Sequence, residues 1–144
     1  MKLYTIGFTK KTAEEFFTRL TKAGVRRVAD IRLNNTSQLA GFAKADDLKY
    51  FLKAIGKIDY IHLPVLAPTQ DILDAFKKSK GKWEDYERQF TRLMDERKIE
   101  QAAPKELLDG ACLLCSEDTP EHCHRRLVAE RLRARWKDVE IIHL

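Results

Sequence analysis

Twelve consecutive residues, CSEDTPEHCHRR from Cys115 to Arg126, hold two cysteines, two histidines, two arginines and three acids. Those side-chain types can make a metal site, a nucleophile with acid–base partners, or an anion clamp. The choice turns on which way each one points. Thr119 is a natural N-cap, Pro120 suits a first helical position and Glu121 suits the positive end of a helix dipole, so the spacing predicts a helix from Pro120 to about Trp136. At about 100° per residue, Arg125, Val128, Ala129, Leu132 and Trp136 share one stripe, which must pack on the rest of the protein. Arg126, Glu130 and Arg133 fall on the other side and face solvent. Arg125 is then a guanidinium on an apolar stripe and requires an anionic partner. A carboxylate of Asp30, Glu117 or Glu121 would make it an internal brace; a ligand phosphate or carboxylate would make it a clamp.

The same phase argument weakens the metal reading. Adjacent helical residues point about 100° apart, so His122, Cys123 and His124 are not expected to ligate one ion together. Cys115, Cys123 and one histidine are suitable ligand types but lack the paired short spacing of structural zinc. No metal and no cofactor are expected. Cys112 and Cys115 have Cys-x-x-Cys spacing within a predicted strand, Gly110 to Cys115, where residues three apart face opposite ways. Cys112 reads as a small buried hydrophobe. Cys115 stands at the strand end, where helix N-termini and arginines lower a thiol's pKa and prepare a nucleophile.

The elements that must position these residues alternate along the chain. Strands are predicted at Leu3–Ile6, Val25–Ile31, Asp59–Leu63, Gly110–Cys115 and Val139–His143. A capping box at Thr12–Glu15 opens a helix that Gly24 ends. A polar loop covers Asn34–Gly41; Leu48, Phe51, Leu52 and Ile55 then mark a second helix stopped by Gly56. A short helix spans Asp71–Lys78, and a longer one runs from Trp83 to about Ile99. No repeat or linker divides the 144 residues. The expected architecture is one three-layer α/β/α domain over 1–144, with a mainly parallel sheet of about five strands.

Ligands of such sheets bind beyond the carboxyl ends of the strands. That directs attention to Gly7, Asp30, Arg32, His62, Cys115 and Glu117. Gly7 would let backbone approach a ligand closely. Asp30 and Arg32, two apart, share a face and either pair with each other or offer a ligand one acceptor and one donor. His62 and Glu117 are candidate acids or bases, and His124 flanks the helical stripe that carries Arg125.

Bulk properties exclude several classes. The net charge of +5 is spread over 27 basic and 22 acidic residues, and no base-reading module is visible. No apolar run approaches the roughly 20 residues of a membrane span, and the N-terminus is too polar for a signal peptide. A cytoplasmic protein is expected, and its three cysteines fit a reducing compartment. The last strand could lie at a sheet edge, which leaves the oligomeric state open.

Thr5-Ile-Gly7, Asp30-Ile-Arg32, His62-Leu-Pro64 and Cys115-Ser-Glu-x-x-Pro-Glu-His-Cys-His-Arg125-Arg occur in that order. Together they resemble, over essentially the whole chain, the widespread microbial family catalogued as domain of unknown function number 488. The resemblance implies a compact α/β domain whose shared site is built from Gly7, Asp30, Arg32, His62, Cys115, Glu117, Cys123, His124 and Arg125. This sequence departs from the pattern at Phe8, where many relatives carry histidine, and across Leu33–Phe42, where theirs is richer in arginine and serine.

These residues favour an enzyme acting on a small anionic, nucleotide-like ligand bearing phosphate or carboxylate. Arg32 and Arg125 would be its clamps, Glu117 or His62 its acid or base, and Cys115 a nucleophile or a pocket wall. Rhodanese-like sulfur transfer through Cys115 is a close variant. Against it, nine residues separate Cys115 from Arg125, too many for a short anion-cradling loop. The alternative from another class is a non-catalytic module that senses a nucleotide or touches nucleic acid with the same rim.

Overall fold

The computed structural model describes residues 1–36 and 40–144; the loop expected at Asn34–Gly41 is therefore described except for residues 37–39. In chain order the elements are β1 (Lys2–Gly7), α1 (Ala13–Ala23), β2 (Arg27–Asp30), α2 (Ala45–Gly56), β3 (Asp59–His62), α3 (Gln70–Lys77), α4 (Trp83–Arg97), α5 (Ile99–Ala102), α6 (Lys105–Leu108), β4 (Ala111–Cys115), α7 (His124–Trp136) and β5 (Glu140–His143). The five strands form one parallel sheet in the order β3-β2-β4-β1-β5. Central β4 is buried along its whole length, as a strand covered on both faces must be.

Helices cover both faces. Phe16, Phe17 and Leu20 of α1 pack with Leu48 and Leu52 of α2 against Ile6, Val28, Cys112 and Leu114. On the other face, Phe90 and Met94 of α4, Ile99 of α5, Leu108 of α6 and Val128 and Leu132 of α7 pack against Leu3, Ala29 and Leu113. The chain leaving β1 or β2 thus goes to one face and the chain leaving β4 to the other. Crevices open beside the end of β4 on both sides, at β2 and at β1.

Local signals account for most boundaries. The Thr12 hydroxyl accepts the Glu15 N–H at 3.1 Å, and Gly24 closes α1 in the left-handed region at φ 75°. The second helix runs one residue further than Gly56 implied, because Lys57 takes the left-handed position at φ 53°. The long helix stops at Arg97, where Lys98 turns left-handed, and the short α5 and α6 follow without any signal in the periodicity.

One boundary matters for chemistry. The helix expected from Pro120 begins at His124, and Thr119 is not its cap. Residues 119–123 form bends and turns, and Cys123, at φ −135° and ψ 138°, is the extended N-cap residue. Arg125, described below, ties the carbonyls of Glu117 and Asp118, just before this segment, to the first turn of α7.

Candidate functional site

The crevice between β4 and β1 is filled by the protein itself. Arg125 is buried, as the stripe required, but its partners are not carboxylates. Nη1 donates to the Glu117 carbonyl at 2.6 Å, Nη2 to the Asp118 carbonyl at 3.3 Å and Nε to Thr5 Oγ1 at 3.3 Å. Thr5 Oγ1 also lies 2.6 Å from His143 Nδ1, which ties β5 into the same network. Burial and the nearby Arg125 charge both depress the pKa of His143. A β-carbon added at Gly7 would lie 1.6 Å from the Glu117 carbonyl oxygen. The close approach expected of Gly7 is therefore to the Glu117 backbone. Arg125 and Gly7 shape the loop after Cys115 and do not line the cleft described next.

That cleft, about 230 Å³, opens on the β2 side of β4. Arg32 and Asn34 form one wall, Cys115, Ser116 and Glu117 the floor, His122, Cys123 and His124 a second wall, and Leu73, Phe76, Lys77 and Tyr86 of α3 and α4 the cover. Arg97 supports that cover by donating to the carbonyls of Val65 at 2.9 Å and Ala67 at 2.6 Å, just before cleft residue Pro68.

Asp30 and Arg32 pair in the buried interior, with Nε to Oδ1 and Nη2 to Oδ2 both at 2.8 Å. The Tyr60 hydroxyl donates to Oδ2 at 2.5 Å. Burial alone would raise the Asp30 pKa; the hydrogen bonds and charge of Arg32, with help from Tyr60, hold it below the ordinary carboxylate value. The fork that grips Asp30 leaves Arg32 Nη1 over. This buried donor has no hydrogen-bond partner among the described residues, although Arg32 lines the cleft. Phe8 lies against the guanidinium, 5.4 Å from its carbon to the ring centroid.

His62 Nε2 donates to the Arg32 carbonyl at 2.8 Å, and His62 does not line the cleft, so its position is that of a loop support. Glu117 does line the cleft, but its carboxylate pairs with Lys77 at 2.6 Å and both side chains are about half exposed. Arg126, expected in solvent, is partly covered: it pairs with Glu130 at 3.0 Å and lies over Trp83, which itself stacks on His122.

Cys115 and His124 meet at the cleft floor. The Cys115 Sγ lies 3.4 Å from His124 Nδ1, and His124 Nε2 lies 2.7 Å from the Ile31 carbonyl. A carbonyl oxygen only accepts, so Nε2 carries a hydrogen and the neutral ring presents its Nδ1 lone pair to the thiol. Phe90 meets the imidazole edge-to-face at 5.4 Å and limits its rotation. A hydrogen bond from the Cys123 thiol lowers the Cys115 pKa most; the Ser116 and Glu117 N–H groups and the Arg125 charge add to it and together outweigh burial. Burial pushes Cys123 the other way, well above a normal thiol, and keeps it protonated. Burial also raises the Tyr86 phenol, with nearby Cys115 contributing, so a protonated hydroxyl faces this end of the cleft.

Cys112 sits in the core of the opposite sheet face with its pKa raised by burial, as the strand alternation requires. Cys123 does not follow the helical phase expected of it. Because it precedes α7 in an extended conformation, its sulfur turns toward Cys115 and His124, and the ligand-type atoms of the three lie within 4.8 Å of one another. Such a set has the composition to hold a thiophilic ion, so the angular argument against a shared ion does not apply here. Tyr86 and Lys77 are cleft residues that sequence reasoning passed over, and Cys123 entered it only as a ligand type and through the family resemblance. Tyr86 was legible only as a core position of α4, and Lys77 only as surface charge.

The fold and site thus define a parallel α/β protein with a cysteine–histidine pair at the carboxyl edge of its central strand. The family model described as domain of unknown function DUF488 matches residues 12–132, and the chain belongs to that family. Neither the curated proteins nor the solved structures yield a match. Among the described residues, no helix is long and apolar enough to cross a membrane.

Proposed function

We propose that this protein is a thiol-dependent enzyme in which Cys115 attacks a small electrophile carrying a negative charge. One observation carries the reading: the line from Cys115 Sγ to His124 Nδ1 at 3.4 Å and from His124 Nε2 to the Ile31 carbonyl at 2.7 Å. This is a nucleophile, a base and a group that orients the base, on the floor of an accessible cleft. The Cys115 proton passes to Nδ1, which leaves a thiolate beside an imidazolium. The ring keeps its hold on Ile31 throughout. Peptide N–H groups of Ser116 and Glu117 and the Cys123 thiol solvate the sulfur anion.

The uncommitted Nη1 of Arg32 is the natural partner for the substrate's charged group. At about 230 Å³ the cleft is smaller than the roughly 300–1,000 Å³ typical of larger ligands, which favours a compact anion over a nucleotide or a nucleic-acid strand.

Alkylation kinetics test both halves. Against a free small thiol as reference, Cys115 should favour iodoacetate over iodoacetamide by about tenfold more, the equivalent of one charge-assisted hydrogen bond. Inorganic sulfate should compete with iodoacetate for the same site. Peptide mapping should place the label on Cys115. A Cys115 that reacts no faster than an unfolded thiol near neutral pH, or that shows no preference for the anionic reagent, would refute the reading.

A further inference from the structure

We propose that Cys123 is the resolving thiol of Cys115, and that the electrophile is a small anionic sulfane-sulfur donor of which thiosulfate is the simplest. The inference rests on the nucleophilic role of Cys115 and adds to it the donor class and a second reacting residue. Three observations lead to it. First, both sulfurs are buried at the same end of one cleft and lie within 4.8 Å of each other. Cys123 is outside the helix, and rotation of its side chain is the movement that would have to bring the sulfurs to the bond length of about 2.05 Å that a disulfide needs.

Second, the Ser116 and Glu117 N–H groups favour the anionic form of the Cys115 sulfur. An acyl-transfer site would aim its donors at a carbonyl oxygen beyond the nucleophile. Donors that favour the sulfur anion suit a charge that resides on sulfur, as in a thiolate or a persulfide. They belong to the two residues directly after Cys115, the close donors that a distant Arg125 could not provide. Third, Arg32 Nη1 offers one buried cationic donor for the oxyanion end of such a donor molecule, and Arg32 and Cys115 line the same small cavity.

The chemistry balances in two steps. The Cys115 thiolate attacks the outer sulfur of thiosulfate; the S–S bond of thiosulfate breaks, sulfite leaves with the electron pair, and Cys115 carries a persulfide anion. Cys123 then attacks Cys115 Sγ. Its proton leaves with the terminal sulfur as hydrosulfide, and a Cys115–Cys123 disulfide remains. One turnover therefore needs no external reductant, and later turnovers need a thiol or dithiol to reopen the disulfide.

A single-turnover experiment decides the matter. The full chain is reduced, freed of reductant and mixed with thiosulfate. The expected result is release of about one equivalent of hydrosulfide per chain, with the protein about 2 Da lighter and a Cys115–Cys123 disulfide in the peptide map. Cys123→Ser should stop one step earlier, with a persulfide on Cys115 about 32 Da heavier and no hydrosulfide. A wild-type protein that keeps the persulfide and releases no hydrosulfide would overturn the resolving role while leaving Cys115 a nucleophile. A wild-type protein unchanged by thiosulfate but still alkylated selectively by iodoacetate would overturn the donor class alone. No reaction with either reagent would remove the underlying reading as well. The wild-type arm is decisive even where Cys123→Ser fails to fold.

Discussion

Replacing Gly7 with alanine perturbs the loop that presents Cys115. The added carbon would lie 1.6 Å from the Glu117 carbonyl oxygen and 2.9 Å from Arg125 Nη1, so the Glu117 backbone must move by more than an ångström. Overpacking of this kind costs about 1–3 kcal/mol. The displacement also breaks the 2.6 Å bond from Arg125 to the Glu117 carbonyl, a hydrogen bond to a charged group that contributes about 1.5–3 kcal/mol. Together the expected loss is about 3–5 kcal/mol, a large share of the roughly 5–15 kcal/mol that holds a domain folded. In urea, with a slope of roughly 2 kcal/mol/M, the midpoint should fall by about 2 M. The same movement withdraws the Ser116 and Glu117 N–H groups from the Cys115 sulfur, so iodoacetate labelling of the still-folded protein should slow as well. A Gly7→Ala protein within about 1 kcal/mol of wild type and labelled at an unchanged rate would refute the account of this loop.

Two further outcomes follow from the buried charges and the two imidazoles. Asp30 titrates below its unfolded value of about 3.9, so the stability it contributes is fully present above that pH and is lost as pH falls through the lower folded value. Asp30→Asn should flatten the acid limb of stability between about pH 2 and 5. It should also cost about 3–5 kcal/mol at neutral pH by leaving Arg32 buried and unpaired. An unchanged acid limb would dismiss the pair's role. His62→Gln should label with iodoacetate within about twofold of wild type, because His62 acts only on the Arg32 carbonyl, whereas His124→Gln should slow labelling by about tenfold or more, the lower end of the contribution of a positioned base. The reverse ranking would move the base to His62.

Much of the scaffold was legible in the chain because local rules wrote it. Alternation of strand and helix predicted a parallel sheet, Thr12 and Gly24 bounded α1, and the two-residue period of β4 separated Cys112 from Cys115. The 3.6-residue period put Arg125 on the buried stripe of α7. These are properties of neighbours in sequence, and they survive without knowing what lies across the sheet.

The partners were decided elsewhere. Arg125 was expected to meet an anion, either a carboxylate of the protein or a ligand's phosphate or carboxylate, and it meets two carbonyls and a hydroxyl because Gly7, 118 positions earlier, leaves room for the Glu117 backbone. His124 gains its orientation from Ile31, a neighbour only because β2 lies beside β4. The start of α7 lies at His124 and not at Pro120, which leaves Cys123 extended with its sulfur close to that of Cys115. Which elements form follows from periodicity and capping along the chain. Which atoms meet at the rim follows from strand order and loop packing, which bring together residues that no local spacing connects.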